Sequence, residues 1–226
     1  MNMNTILDYL TALEQNNNKE WYHAHKAERE AASREFEALI GMLMMELRKT
    51  DESIPFVEPK KLTFKTVRDT RFSNDKSPYN PAFRAHIAPK GKLPVPVGYF
   101  LMLRPGGRSF LGGGLFADMF KDATRMVRDY IAAHGRDWNK IITAPAFTKY
   151  FAVGGTALKK VPQGYDPDHP QGEYLKYKSW YLEYPLTDKQ LMNADFVDYA
   201  VDIFVRMQAF NGFLNRALKD FQMPPR

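Results

Sequence analysis

VGYFLML-RPGG-RSFLGGGL, residues 97–115, is the stretch whose reading decides the fold: two apolar runs of strand length flank a turn signal. Aromatic and branched side chains suit a pleated, half-buried surface. Arg104-Pro105-Gly106-Gly107 supplies a fixed φ at the proline and then glycines free to turn the chain. The reading is a β-hairpin, and a hairpin makes an antiparallel pair. At its far end Gly112-Gly113-Gly114 reads as a bulge or a tight strand exit. A helix N-terminus just beyond, capped by Asp118, leaves an anion-binding alternative open there, although the run matches neither the Walker spacing nor Gly-x-Gly-x-x-Gly.

Working outward, Phe83, Ala85 and Ile87 alternate with Arg84 and His86, which predicts a strand with Arg84 and His86 on one face. Further upstream, Leu62, Phe64 and Thr66 alternate with Thr63, Lys65 and Val67 and predict another strand. Downstream, the Tyr- and Trp-rich segment from Tyr174 to Tyr184 reads the same way. Helical periods bracket these strands. Ile6, Leu7, Leu10 and Leu13 predict a first helix ending at Asn16-Asn17-Asn18, and Asn17 with Glu20 has capping-box spacing for a second that runs to about Arg48. Met119, Ala123, Val127, Tyr130 and Ile131 predict a central helix ended by Gly135; Trp138 to Phe151 suggests short helical pieces, and Thr187 caps another. Phe196 to Phe221 predicts a long helix with a wide apolar stripe. The fold class is therefore α+β: a mostly antiparallel central sheet, with an N-terminal helical hairpin, a central helix and a long C-terminal helix packed around it.

At 226 residues, with 44% hydrophobic and 14% aromatic residues, the chain suits one domain, residues 1–226, with a sizeable core. The absence of Cys excludes disulfides and thiolate chemistry. No leader pattern opens the sequence and no run approaches the ~20 apolar residues of a membrane span, so a cytoplasmic protein without a membrane partner is expected. No cofactor motif is present and no metal site is expected. His23 and His25 point to different sides of a helix, and Asp166, Asp168 and His169 on a proline-rich loop lack a further ligand.

Charge locates the candidate site. From Pro59 to Lys92 nine cations face two carboxylates, a local +7 in a chain of +6. A local excess attracts anions. Within it, RDTRFSNDKSPY, residues 68–79, concentrates charge, hydroxyls and turn residues between two expected strands. Arg68 and Arg71 can fork toward phosphate or carboxylate, Lys76 adds a point charge, and Ser73, Ser77 and Tyr79 offer neutral hydrogen bonds. Arg84 follows on the next strand. The three cations are expected to converge on one cleft, bordered by Lys159 or His169 from the stiff Pro162–Pro170 loop. The bland alternative is that Arg68, Asp69, Arg71 and Asp75 pair with one another.

Several blocks resemble a bacterial family known as DUF2461. They are Asn16-Asn17 with Lys19-Glu20-Trp21, Arg68-Asp69 with Arg71-Phe72-Ser73 and Asp75-Lys76-Ser77-Pro78-Tyr79, Gly113-Gly114-Leu115-Phe116, and Pro162, Gly164-Tyr165-Asp166, His169-Pro170. The resemblance implies a shared fold and carries no established activity, cofactor or catalytic residue. Asn74, Asn80 and Gln163 stand where similar proteins often look basic. Three readings remain: a pocket for a small anionic ligand, a nucleic-acid-binding module in which Phe64, Phe72, Tyr79 and Phe83 stack bases, and a structural or interaction domain.

Overall fold

A computed structural model describes residues 1–116 and 118–224. The hairpin forms the middle of its sheet. Tyr99–Leu103 (β2) pairs antiparallel with Ser109–Leu115 (β3), placing Leu101 opposite Leu111. Phe83–Ile87 (β1) adds to β2 and Trp180–Leu186 (β4) to β3, both antiparallel, giving the order β1-β2-β3-β4. Alternation decides the faces. Tyr99, Leu101, Leu103, Leu111, Trp180 and Leu182 are buried on the inner face, while Phe100, Met102, Phe110 and Tyr181 stay half-buried on the outer one.

Helices cover the inner face. Phe196–Ala217 (α9) crosses β3, where a Cβ on Gly113 would stand only 3.0 Å from Met207 Sδ and Asn211 Oδ1. The glycine run thus lets helix and sheet approach closely. It lies inside β3 and continues to pair with β4, so it is no strand exit, and Gly114 takes a φ of +89°. Met3–Gln15 (α1) packs on Lys26–Leu47 (α3), and α3 on α9. Lys121–Ala133 (α4) and Gly135–Ile142 (α5) flank α9, with short helices at Pro145–Thr148 (α6), Gly172–Leu175 (α7) and Asp188–Leu191 (α8). Phe36, Trp138, Phe204, Phe210 and Phe213 fill one continuous core, each contributing about 1.5–3 kcal/mol by burial. No helix of the described residues is long and apolar enough to cross a membrane.

Several expectations are corrected. The stretch Leu62–Val67 is not a strand: a 3-10 turn at Pro59–Leu62 leads into single bridges, Thr63 to Ala85 and Val67 to Tyr79. After Phe64 N–H bonds Arg84 O, the chain leaves β1 and pairs instead with its own return leg. The second helix is divided into Lys19–Ala24 (α2) and α3 at His25, whose ring stacks on Trp21 at 4.1 Å. Asn18, not Asn17, caps α2 by accepting Trp21 N–H. Asp118 caps no helix; it lies 3.8 Å from Lys178 Nζ, and α4 begins at Lys121 without a side-chain cap. Tyr174 belongs to α7, so the last strand starts six residues later. Helix α9 ends at Ala217, short of Phe221. Thr187 does form its capping box, with Gln190.

Candidate functional site

The stretch from Arg68 to Tyr79 is a closed loop with a fixed neck. Asn80 N–H donates to Thr66 O at 2.7 Å and Arg68 N–H to Pro78 O at 2.9 Å. Asn17 grips the neck from the link between α1 and α2: its Nδ2 donates to Tyr79 O at 2.9 Å and its Oδ1 accepts Tyr79 N–H at 3.1 Å. The Tyr79 ring is buried against Tyr22, centroids 3.7 Å apart and nearly parallel, and burial raises its phenol pKa.

Above the neck, charges close on one another. Arg68 pairs with Asp75 and donates to Ser73 Oγ at 3.3 Å. Hydrogen bonds from the Ser77 hydroxyl and amide, and then from Arg68, hold the Asp75 carboxyl far below the usual carboxylate range. Arg71 forks onto Asp69 through Nε and Nη2, at 3.0 and 2.6 Å, which lowers the Asp69 pKa and raises its own. Lys76 Nζ donates to Thr70 O at 3.0 Å. Each of the three cations expected to share a cleft is thus engaged inside the loop by its own partner. Phe72, at 94% exposure, is a free tip, whereas Phe83 and Tyr79 are buried.

His169 stands elsewhere in the fold. With His134 and Arg136 it lines an opening at the α4–α5 junction, and its Nδ1 accepts Gln171 N–H at 2.9 Å. Its loop is tied down by Tyr165, whose hydroxyl donates to Asp129 at 2.6 Å; burial and then that carboxylate push the phenol up to about 12. Lys159 and Lys160 are exposed. Among the described residues, no hydrogen bond or ion pair joins this loop to residues 68–79, and no cluster of three His, Asp or Glu could hold a metal.

A second basic region gathers lysines from the same Pro59–Lys92 excess around Arg29, a convergence that the sequence reading did not contain. A groove of about 400 Å³ runs between α3 and residues 60–67. Arg29, Ser33, Phe36 and Glu37 reach it from one face of α3, as their three- and four-residue spacing requires. Lys60, Phe64, Lys65 and Thr66 form the opposite wall, and Lys92 closes one end. Arg29 lies over the Tyr22 ring at 4.2 Å and donates to Tyr22 O at 2.9 Å. The Tyr22 hydroxyl meets Thr66 Oγ1 at 3.0 Å, and Lys92 Nζ donates to Thr63 O at 3.0 Å. Four cations therefore line the groove with one carboxylate, Glu37. Among the described residues, none of the four has a carboxylate oxygen within 4.0 Å.

Arg84 borders this groove. Its Nη2 donates to Lys65 O at 3.2 Å and its guanidinium lies 5.5 Å from the Phe64 ring centre. Among the described residues the buried Nε has no acceptor, and burial lowers the pKa of the group. The lysine-rich run Lys60, Lys61, Lys65, without a carboxylate among residues 59–67, was the available sequence signal. Arg29 and Tyr22 gave none, because the groove wall that faces them lies far along the chain, and Asn17 was read as a helix cap, its partner Tyr79 lying 62 residues on.

A family model described as conserved hypothetical protein (DUF2461) matches residues 5–213, which takes in α1 through most of α9 and both basic regions. No curated protein and no solved structure matches the chain.

Proposed function

The chain belongs to the family of conserved hypothetical proteins DUF2461, and from that premise we propose that it binds a small phosphate- or carboxylate-bearing ligand in the groove beside α3. The observation that carries this reading is that Arg29, Lys60, Lys65 and Lys92, none with a carboxylate partner among the described residues, converge from separate elements on one concavity. Four cations gathered around a single carboxylate that none of them pairs with repel one another, and an entering anion relieves that repulsion. The hydroxyl of Ser33, and whichever of Tyr22 and Thr66 does not donate to the other, supply neutral donors, and Arg29 supplies the planar fork suited to phosphate or carboxylate.

In this reading Arg84 and Tyr79 support the groove wall through Lys65, Phe64 and Tyr22. Arg68, Arg71, Ser73, Lys76 and Ser77 act only through the backbone that they brace, and Lys159 and His169 take no part. Titration calorimetry with phosphate, pyrophosphate and citrate tests the proposal. One saturable site is expected, weakened by salt and weakened about tenfold by Lys65→Ala, the order of one charge-assisted hydrogen bond. Absence of saturable binding by all three anions at low salt would refute it.

A further inference from the structure

The outer face of the sheet carries an aromatic surface that begins at the groove. Phe64, a groove residue, lies 6.1 Å from Phe100 between ring centres; Phe100 lies 5.7 Å from Phe110 and 5.6 Å from Phe116, and Phe116 stacks on Tyr181 at 4.7 Å. Strand register puts Phe100 and Phe110 on this face, since Arg84, Met102 and Phe110 form one row and His86, Phe100, Gly112 and Glu183 the next. Phe116 folds back over the sheet at Gly112, where a Cβ would come within 3.0 Å of its ring. These rings remain partly open to solvent, Phe116 by 39%. At their groove end sits Arg84, a half-buried cation with an N–H that has no acceptor and with no carboxylate partner among the described residues. Glu183, on β4, marks the acidic limit of the surface at the other end.

We propose that this face is a stacking platform for a single-stranded nucleic acid whose phosphates lie in the cationic groove beside it. The proposal rests on the groove being an anion site and names the class of anion. A row of accessible rings joined to a line of unpaired Lys and Arg is the combination that grips single strands, because every base has a face to stack and every nucleotide a phosphate. Charge complementarity selects this occupant: the platform's groove end holds Arg84, Lys65, Lys60 and Lys92, with Glu37 the one carboxylate of the groove. A duplex offers no unstacked base to the rings.

Fluorescence anisotropy of a labelled oligothymidine of about 12 nucleotides tests this on the full chain, beside an abasic strand of the same length and a duplex, with pyrophosphate titrated calorimetrically. Phe110→Leu and Phe116→Leu keep apolar volume but remove the ring, and circular dichroism melts check that both fold. The expected result is oligothymidine binding at least about fivefold tighter than the abasic strand, the low end for one stacked base. Both variants should remove that preference while leaving pyrophosphate affinity unchanged. Equal binding of abasic strand or duplex overturns the platform, as does a concentration-dependent dimer that the variants abolish without any oligonucleotide binding. Pyrophosphate binding without oligonucleotide binding defeats the platform alone; failure of both removes the groove reading as well.

Discussion

The loop at residues 68–79 and the groove beside α3 are both rich in cations, and they differ in where the counter-charges sit. In the loop, Asp69 and Asp75 lie two and seven residues from the arginines that they bind, so folding of the local backbone is enough to neutralise them. In the groove, Arg29, Lys60, Lys65 and Lys92 come from α3, the 3-10 turn, the segment after it and the connection following β1. Glu37 shares the groove but stays beyond pairing distance. In the proposed reading local charge density marks a brace as readily as a site, and what separates them is whether the charges are answered from within.

Two perturbations and a control measure how firmly the loop is a brace. The largest effect is expected at Asn17, where Asn17→Ala strips both hydrogen bonds from the partly buried Tyr79 peptide; a loss of roughly 2 kcal/mol in urea unfolding follows from two such bonds. Asn17→Asp, which keeps the acceptor but sets a carboxylate oxygen against the Tyr79 carbonyl, should cost at least as much. A negligible change in both would mean that the loop is held by the Tyr22–Tyr79 stack alone.

Glu14 provides the control for paired cations outside the loop. Hydrogen bonds from Arg108 and then Arg104 pull its pKa down from 4.5 to about 2. A depressed carboxylate contributes stability above its unfolded pKa and loses it as pH falls through the folded value. Glu14→Gln should therefore lower the melting temperature at pH 7, with the difference from wild type shrinking between about pH 4.5 and about pH 2. A gap that stays constant across that window would show that packing, and not the charge, is what Gln fails to replace. The smallest effect is expected from Arg71→Ala. Its ion pair is exposed, and such pairs contribute little because water screens them and side-chain order opposes them. A marked drop in melting temperature would make the tip of the loop part of its structural frame.

The sheet and its helices were legible because their signals are local. Pro105-Gly106-Gly107 turns the chain where strand alternation stops and resumes, and the stripe of Phe204, Met207, Phe210 and Leu214 repeats at helical spacing over a length that only a long helix satisfies. The alternating run Leu62–Val67 misled because a strand needs a continuing neighbour: β1 supplies one at Phe64, after which residues 78–80 take over the pairing. That exchange is fixed by Asn17, 62 residues away, and nothing in either stretch announces the other. The same limit hid the groove. Its lysines were counted in the basic excess, but their convergence with Arg29 depends on α3 lying alongside the 3-10 turn, a tertiary contact without a sequence period.

The contrast between answered and unanswered charge is tested most directly by one calorimetric series, pyrophosphate titrated into wild type, Arg71→Ala and Lys60→Ala/Lys65→Ala at low salt. The account predicts that Arg71→Ala binds as wild type does, while the double variant loses about a hundredfold in affinity, two charge-assisted contacts at about tenfold each. Loss of binding in Arg71→Ala with full binding in the double variant would place the anion in the loop and contradict the account.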